Sequence, residues 1–157
     1  MMRELLHIEP YSDVHEAGCR DVLKRIFGDD DQSQGYYRLT PRRTVVALLQ
    51  DQLIGFASVW DNFNHPDTLR SGVVVLPLYR RQGVGGQLWE ALLQTWSNDR
   101  SLVTSLWETQ VTGHAFAVHC GFSQLSLECD STDPWSHEVL DRFPFGPAPT
   151  WITLRRN

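Results

Sequence analysis

The segment from Val73 to Leu88 constrains the fold more than any other part of the 157-residue chain. It begins with a short apolar run, and Pro77 then lacks the backbone donor that a longer strand would need. A basic, glycine-rich segment follows, Arg80–Gly86. Apolar residues then recur at helical spacing, at Val84, Leu88 and Leu92. The pattern predicts a strand, a tight basic turn and a helix.

A turn of this kind can bind an anion. The first N–H groups of a helix have no partner within the helix, and glycine lets a phosphate approach them closely. Arg80 and Arg81 would add charged hydrogen bonds. Two other phosphate motifs do not fit: a P-loop needs Lys-Ser/Thr where Gln87-Leu88 stand, and a dinucleotide fingerprint from Gly83 needs glycine at Leu88.

The pattern Arg80-x-x-Gly83-x-Gly85, preceded by Val75-x-Pro77, closely resembles the acetyl-coenzyme A loop of the GNAT superfamily of N-acetyltransferases. The resemblance implies an α/β (α+β) fold of one domain over residues 1–157. Its mixed, mostly antiparallel central sheet would be flanked by helices, with a splayed pair of strands holding the cofactor. The cofactor-binding residues that it implies are Val73, Val74, Val75, Arg80, Arg81, Gln82, Gly83, Val84, Gly85, Gly86, Gln110 and Phe116.

A second region extends this resemblance over about residues 3–127. The superfamily often has an Asn-x-x-Ala-x-x-Phe-Tyr segment shortly before a Gly-Phe pair. Here the chain keeps Phe116 and Gly121-Phe122, but Gln110 replaces the asparagine and Ala117 replaces the tyrosine. Since that tyrosine often protonates the departing thiolate in the family, we assign a catalytic role as the acid to His114. His114 lies three residues earlier on the same helical face. The alternatives are a packing or surface role for His114, with water as the proton source.

The acceptor site is harder to predict. The family often has a base carboxylate near the start of the central strand, but residues 68–72 contain no acid. Asp61, Asp67 and Glu108 are the nearest carboxylates in sequence, and none is preferred. A chain of water molecules is the alternative base. For the substrate, we select the acidic run Asp29, Asp30 and Asp31, together with His65. A solvated loop is the alternative for the acidic run, which is not an EF-hand because Gln34 and Thr40 stand at positions that need glycine and glutamate.

The remaining pattern predicts further elements. Asp13 and Glu16 have the spacing of a capping box before a helix that ends at Gly28. Two apolar runs around Asp51-Gln52 predict a hairpin. Further strands are predicted over 5–8, 68–76, 101–107, 122–127 and 151–154. Helices are predicted over 112–119 and, as a short one, over 138–142.

Composition limits the partners and the compartment. Hydrophobic residues make up 41% and charged residues 21% of the chain, as in ordinary globular proteins, and no apolar run is long enough to span a membrane. Cys19, Cys120 and Cys129 form no CxxC pair, so we expect reduced thiols, a cytoplasmic protein and no metal site. The net charge of -5 disfavours nucleic acid and favours a cationic partner.

These observations predict an acetyl-coenzyme A-dependent N-acetyltransferase that acts on a primary amine of a small molecule or a peptide. The protein could be a monomer or a homodimer. Two alternatives remain open: a catalytically weak module that binds or senses acyl-coenzyme A, and a protein that binds ATP at the same loop.

Overall fold

The computed structural model describes residues 5–28, 42–61, 66–95, 100–107, 111–124 and 151–156. Their strands are β1 (Leu6–Pro10), β2 (Arg42–Leu49), β3 (Gln52–Asp61), β4 (Thr68–Val75), β5 (Ser101–Trp107), β6 (Ser123–Gln124) and β7 (Trp151–Arg156). Their helices are α1 (Glu16–Phe27), α2 (Val84–Gln94) and α3 (Val111–His119), with 3₁₀ turns at Asp13–His15 and Pro77–Tyr79. The predicted short helix at 138–142 lies outside these residues.

The chain divides into two compact units, of which the first contains Met1–Asp61 and Ser71–Asn98 and the second contains Asn62–Arg70 and Asp99–Asn157. The strand order is β1-β2-β3-β4 in the first unit and β4-β5-β7-β6 in the second. Strand β4 is named in both because it begins in the second unit and ends in the first. Of the strand pairs with a described register, four are antiparallel and β4–β5 is parallel. The predicted mixed α/β, mostly antiparallel class is thereby confirmed. None of the described helices is long and apolar enough to cross a membrane.

The β2–β3 hairpin turns one residue earlier than the sequence predicts. Gln50 and Asp51 form the turn and have φ values of 49° and 67°, so Leu49 pairs with Gln52. Positive φ at both central residues is what a two-residue type I′ turn requires, since its twist matches that of the strands. The register of the two strands shifts once, between Ala47 and Leu48, where β3 contributes an extra residue.

Strand β3 lies in the core of the first unit. Its residues from Ile54 to Trp60 are all buried, without the alternation of a strand that has one wet face. Both α1 and α2 contact β3. The largest fully buried side chains of this unit include Phe56, Leu23, Ile54, Leu88 and Leu92. Each such apolar side chain contributes about 1.5–3 kcal/mol by its removal from water.

The entry to α1 differs from the predicted Asp13–Glu16 capping box. Ser12 is the cap of the 3₁₀ turn, and His15 is its partner three residues later. The backbone N–H of Ser12 donates to Nδ1 of His15 at 3.0 Å, while Nε2 of His15 lies 2.6 Å from a Glu9 carboxylate oxygen. His15 is 9% exposed. It therefore has a structural role, because its ring accepts the backbone hydrogen bond that caps this turn. The end at Gly28, with φ of 74°, is as predicted.

Gly55 lets β3 and β4 approach closely. A Cβ atom at this position would lie 2.6 Å from the Val74 carbonyl oxygen and 3.2 Å from Val75 Cα. Because both contacts are to backbone, Gly55→Ala must displace the end of β4. We expect it to lower the free energy of unfolding by about 1–3 kcal/mol, as overpacking in a core does. Gly86→Ala is the matched control, because its Cβ would meet no atom within 4 Å. Equal denaturation midpoints for the two variants would contradict the prediction.

The second unit contains the parallel pairs Thr68↔Ser101, Leu69↔Leu102 and Arg70↔Val103, and β7 pairs with β5 from Leu102 to Trp107. Helix α3 ends in a Schellman motif, in which Phe122 N–H donates to the Ala117 carbonyl and Gly121 N–H donates to the Val118 carbonyl, both at 3.0 Å. Gly121 has the positive φ, 93°, that this motif needs. Strand β6 begins at Ser123, one residue later than predicted.

Candidate cofactor-binding loop

The site begins where β4 stops. Leu76 N–H still donates to the Ile54 carbonyl at 2.9 Å, so pairing with β3 extends one residue beyond the strand. Pro77 then starts a 3₁₀ turn, in which Tyr79 N–H donates to the Leu76 carbonyl at 2.9 Å. Proline suits the first position of a turn because its missing N–H has no partner there. The strand end is therefore fixed from two sides before the loop begins.

Arg80 ties the loop back to this strand end. Its Nε–H donates to the Val75 carbonyl at 2.8 Å. A guanidinium has five N–H donors, so one bond from Nε leaves the donors of both terminal nitrogens for other acceptors. Gln82 makes a second tie, from Nε2 to the Leu78 carbonyl at 3.0 Å. The side chains of Arg80 and Gln82 therefore hold the loop, and Arg80 uses only its Nε–H for the bond to the strand.

Backbone conformation at two loop residues turns the chain into α2. Arg81 has φ of 63° and Gly83 has φ of 88°, both in the left-handed region. Glycine adopts this region without cost, whereas arginine is strained there. Gly83 is the N-cap of α2, and its carbonyl accepts the first bond of the helix, from Gln87 N–H at 3.1 Å.

The N–H groups of Val84, Gly85 and Gly86 precede that first bond, and no side chain caps this end of the helix. The Val84 side chain is 1% exposed and fixes the first turn in the core. On the other side, a Cβ atom at Gly83 or Gly86 would meet no atom within 4 Å. Uncapped amides beside open space are what an anion at a helix N-terminus requires.

The charges around this end also favour an anion. The first turn of α2 has no acidic residue, and the side chains of Arg80 and Arg81 are exposed. No described carboxylate forms an ion pair with either arginine. The positive end of the helix dipole adds to their charge. These residues fit the pyrophosphate of coenzyme A, which carries negative charge and accepts several hydrogen bonds at once.

The predicted site residues fall into three groups. Residues 73–75 and 80–86 lie consecutively in the first unit, on the end of β4, the loop and the start of α2. His114 and Phe116 lie in α3 of the second unit, where Phe116 is half-buried. The third group, Asp29, Asp30, Asp31, His65 and Gln110, lies outside the described residues.

Two features of the site escape a reading of the sequence. One is the bond from Arg80 to Val75, and the other is the close approach of β3 to β4 at Gly55. No sequence pattern predicts the hydrogen bond from Arg80 to the Val75 carbonyl. An isolated glycine within a strand pattern is the only available signal of the second.

Clusters of histidine, cysteine and carboxylate that could hold a metal are absent from the described residues. The group nearest to one is His7, Glu9 and His15. The Glu9 carboxylate is hydrogen-bonded to Nε2 of His7 at 3.0 Å and to Nε2 of His15 at 2.6 Å. Because Nδ1 of His15 accepts the Ser12 N–H, the ring proton sits on Nε2, which cannot then ligate a metal. The cluster is a hydrogen-bond network.

The described cysteines are poor nucleophiles. Burial raises the pKa of the Cys120 thiol from 9.0 to about 11, and the Arg156 guanidinium offsets part of that rise. A thiol with this pKa is protonated at neutral pH and reacts slowly. Cys19 is fully buried. Cys120 is therefore protonated at neutral pH, and Cys19 has no access to solvent, so neither of these two described thiols is placed to carry an acyl group.

The raised pKa of Cys120 predicts a pH dependence of stability. Between pH 9.0 and about 11 the folded state keeps this proton while the unfolded state loses it. The contribution of Cys120 to stability is therefore complete below the unfolded value and is lost as the pH rises through the folded one. We expect the difference in unfolding free energy between wild type and Cys120→Ala to shrink over that window in urea titrations. A constant difference would contradict the assigned burial of the thiol.

Sequence comparison identifies the family. The acetyltransferase (GNAT) family matches residues 6–122, about three quarters of the chain, and the chain belongs to this family. Acetyl transfer is general to its members. The resemblance seen in the loop is confirmed. No curated protein matches the chain in sequence.

Solved structures share the fold over nearly the whole chain. A GNAT-family acetyltransferase from Staphylococcus aureus aligns with a TM-score of 0.70 at 12% identity, covering 97% of this chain and 98% of that one. The ribosomal-protein-S18-alanine N-acetyltransferase from Escherichia coli aligns at 0.67 and 14%, covering 96% and 92%. A Bacillus subtilis acetyltransferase in complex with CoA aligns at 0.69 and 15%, covering 97% and 98%. At these identities the likeness concerns the fold.

Proposed function

We propose that this protein transfers an acetyl group from acetyl-coenzyme A to a primary amine of a small molecule or a peptide. The observation that carries the proposal is the uncapped N-terminus of α2, with Arg80 and Arg81 beside it and open space at Gly86. Membership of the GNAT family and a structural neighbour in complex with CoA support coenzyme A as the anion. The single domain over residues 1–157 and a cytoplasmic location belong to the same proposal.

In this proposal the first unit binds and orients the cofactor. The amides of Val84, Gly85 and Gly86 and the terminal nitrogens of Arg80 would hold the pyrophosphate. The backbone of Val73 and Val75 would pair with the amide-containing arm, as an added strand does. When bound, acetyl-coenzyme A supplies an activated acetyl thioester. The amine nitrogen forms a bond to the acetyl carbon, the carbon–sulfur bond breaks, and the amine's proton is released while the thiolate gains one.

Direct transfer to the amine suits the described thiols. A ping-pong route would need a cysteine thiolate to carry the acetyl group, and the pKa of Cys120, at about 11, leaves that thiol protonated at neutral pH. The acceptor is proposed to be a cation in solution, because the chain carries a net charge of -5. Asp29, Asp30, Asp31 and His65 stay predictions for the acceptor site.

One experiment tests the proposal. Purified protein with acetyl-coenzyme A would be presented with a panel of polyamines, aminoglycosides, amino acids and peptides with free N-termini, while the released thiol is measured. Release that depends on one class of amine supports transfer. Thermal shifts with coenzyme A, acetyl-coenzyme A and ATP serve as the binding control. Stabilisation by ATP alone would contradict the proposal.

The alternative is a module that binds or senses acyl-coenzyme A with little turnover. Ala117 favours it, because this position lacks the family's tyrosine hydroxyl and its side chain is 6% exposed. The same panel separates the two functions. A strong thermal shift with acetyl-coenzyme A and no thiol release with any amine would assign the sensing role.

His114 remains the proposed acid that returns a proton to the thiolate. If it does, the rate falls as the pH rises through its pKa, and His114→Gln removes that limb and lowers kcat by roughly 10²-fold. A thiol with a pKa of about 8.5 already leaves tolerably well, so the reaction need not stop. His119→Gln, on the same helix, is the control. Wild-type kcat with an unchanged pH profile in His114→Gln would leave water as the proton source.

A further inference from the structure

The edge of β1 that faces away from β2 can bind another strand, and this property does not depend on the proposed activity. Strand β1 stands at the end of the strand order, and among the described strands it pairs with β2 alone. An edge strand exposes N–H and C=O groups that can pair with another chain. Which groups point outward follows from the ladder between β1 and β2.

The hydrogen bond at the end of this ladder shows which residue pairs of β1 and β2 are hydrogen-bonded. Tyr11 N–H donates to the Thr44 carbonyl at 2.9 Å, so this pair is of the hydrogen-bonded kind. Hydrogen-bonded and non-bonded pairs alternate along an antiparallel ladder. The pairs Glu9↔Val46 and His7↔Leu48 therefore bond to β2. The backbone groups of Leu6, Ile8 and Pro10 point the other way, to the free edge.

The position of Pro10 supports this alternation of hydrogen-bonded and non-bonded pairs. It is the last residue of β1 and pairs in register with Val45. A proline is tolerated in a ladder only where its missing N–H would have faced away from the neighbouring strand. The outward groups are then two N–H donors, from Leu6 and Ile8, and three carbonyl acceptors, from Leu6, Ile8 and Pro10.

We propose that a second copy of this chain pairs with that edge, antiparallel, with Ile8 opposite Ile8 of the second copy. In this register Ile8 exchanges two hydrogen bonds with its counterpart. Leu6 N–H of each copy donates to the Pro10 carbonyl of the other. All four outward donors of the two copies find acceptors, and the proline lies where no donor is needed.

The pairing of side chains across the two strands selects the same register. His7 and Glu9 point to one face of β1, and Nε2 of His7 lies 3.0 Å from Glu9 within one copy. With Ile8 at the centre, His7 stands opposite Glu9 of the second copy, and Glu9 stands opposite His7. Moving the centre by one residue either way sets His7 against His7 or Glu9 against Glu9. Two carboxylates directly opposite each other are destabilising, whereas a histidine opposite a carboxylate can form a cross-strand hydrogen bond.

Apolar side chains are exposed before β1, at Leu5, and in the 3₁₀ turn that follows the strand, at Val14, and this agrees with an interface. Leu5 is 49% exposed and Val14 is 83% exposed, and they are two of the four large apolar side chains exposed in the described residues. The His7 side chain is 67% exposed. Its substitution therefore leaves the core of the first unit intact.

The test combines mass with residue-resolved hydrogen exchange on the intact protein. We expect sedimentation to give a dimer in the micromolar range. In the dimer the Leu6 and Ile8 amides should exchange slowly, and dilution to the monomer should release these two while the Tyr11 amide stays protected. A monomer up to submillimolar concentration overturns the proposal. So does a dimer whose Ile8 amide exchanges freely, or a monomer whose Ile8 amide is protected, since another segment of the chain would then cover the edge.

A pair of variants tests the register. His7→Glu sets glutamate against Glu9 twice, and we expect the dimer dissociation constant to rise at least tenfold. His7→Gln keeps a hydrogen-bonding side chain opposite Glu9 and adds no carboxylate, so it should stay within a few-fold of wild type. Thermal melts of both variants check the fold. Equal dissociation constants for the two variants would exclude the Ile8-centred register.

Discussion

Gly86→Asp is expected to lower the affinity for coenzyme A by at least tenfold, about 1.4 kcal/mol, without harming the fold. Gly86 is the third residue of α2, and its N–H precedes the first bond of the helix. A carboxylate there would repel the pyrophosphate and accept the hydrogen bonds that it needs. The measurement is calorimetric titration with coenzyme A.

The free protein should respond in the opposite direction. A Cβ atom at Gly86 meets nothing within 4 Å, and an acidic side chain in the first turn interacts favourably with the helix dipole, by about 0.3–1 kcal/mol. The melting temperature of the ligand-free variant should therefore hold or rise while its affinity falls. Gly86→Asn has nearly the same shape without the charge and should lose less affinity. Wild-type affinity in Gly86→Asp would remove the pyrophosphate from this helix end.

Local pattern was enough to predict the elements around the site. Pro77 ends β4, and the apolar spacing of Val84, Leu88 and Leu92 defines the buried face of α2. These features depend on neighbours in the chain, through a missing donor and a helical period. The hairpin turn and the start of α1 were misplaced for a different reason. A left-handed glutamine at position 50 and a histidine ring that serves as a capping acceptor both lie outside the usual residue preferences of turns and caps.

The geometry of the site depends on tertiary contacts and could not be predicted in the same way. Gly55 looks like any glycine in a strand, and only the Val74 carbonyl, 2.6 Å from its would-be Cβ, shows why a larger residue is excluded. Arg80 and Arg81 look equivalent in sequence. The structure separates them, because Arg80 alone bonds to the strand and Arg81 alone has a left-handed backbone.

This difference predicts unequal effects of the same conservative change. Arg80→Lys keeps the charge but loses the planar group that can bond to the Val75 carbonyl and to a phosphate at once. A hydrogen bond to a charged group contributes about 1.5–3 kcal/mol, so we expect coenzyme A affinity to fall by about 10- to 100-fold. Arg81→Lys keeps the charge of an exposed side chain for which no bond to the strand exists, and it should change affinity by less than about threefold.

Salt separates the two contributions further. Attraction between exposed charges weakens with ionic strength, whereas a short, directed hydrogen bond does so much less. Neutralising Arg81 in Arg81→Gln should therefore flatten the salt dependence of coenzyme A binding, and Arg80→Lys should lower the affinity while leaving the salt slope as in wild type. Calorimetry over a range of salt concentrations measures both quantities. If Arg80→Lys and Arg81→Lys lose the same affinity with the same slope, the two arginines act only as charges, and the bond from Arg80 to Val75 has no part in binding.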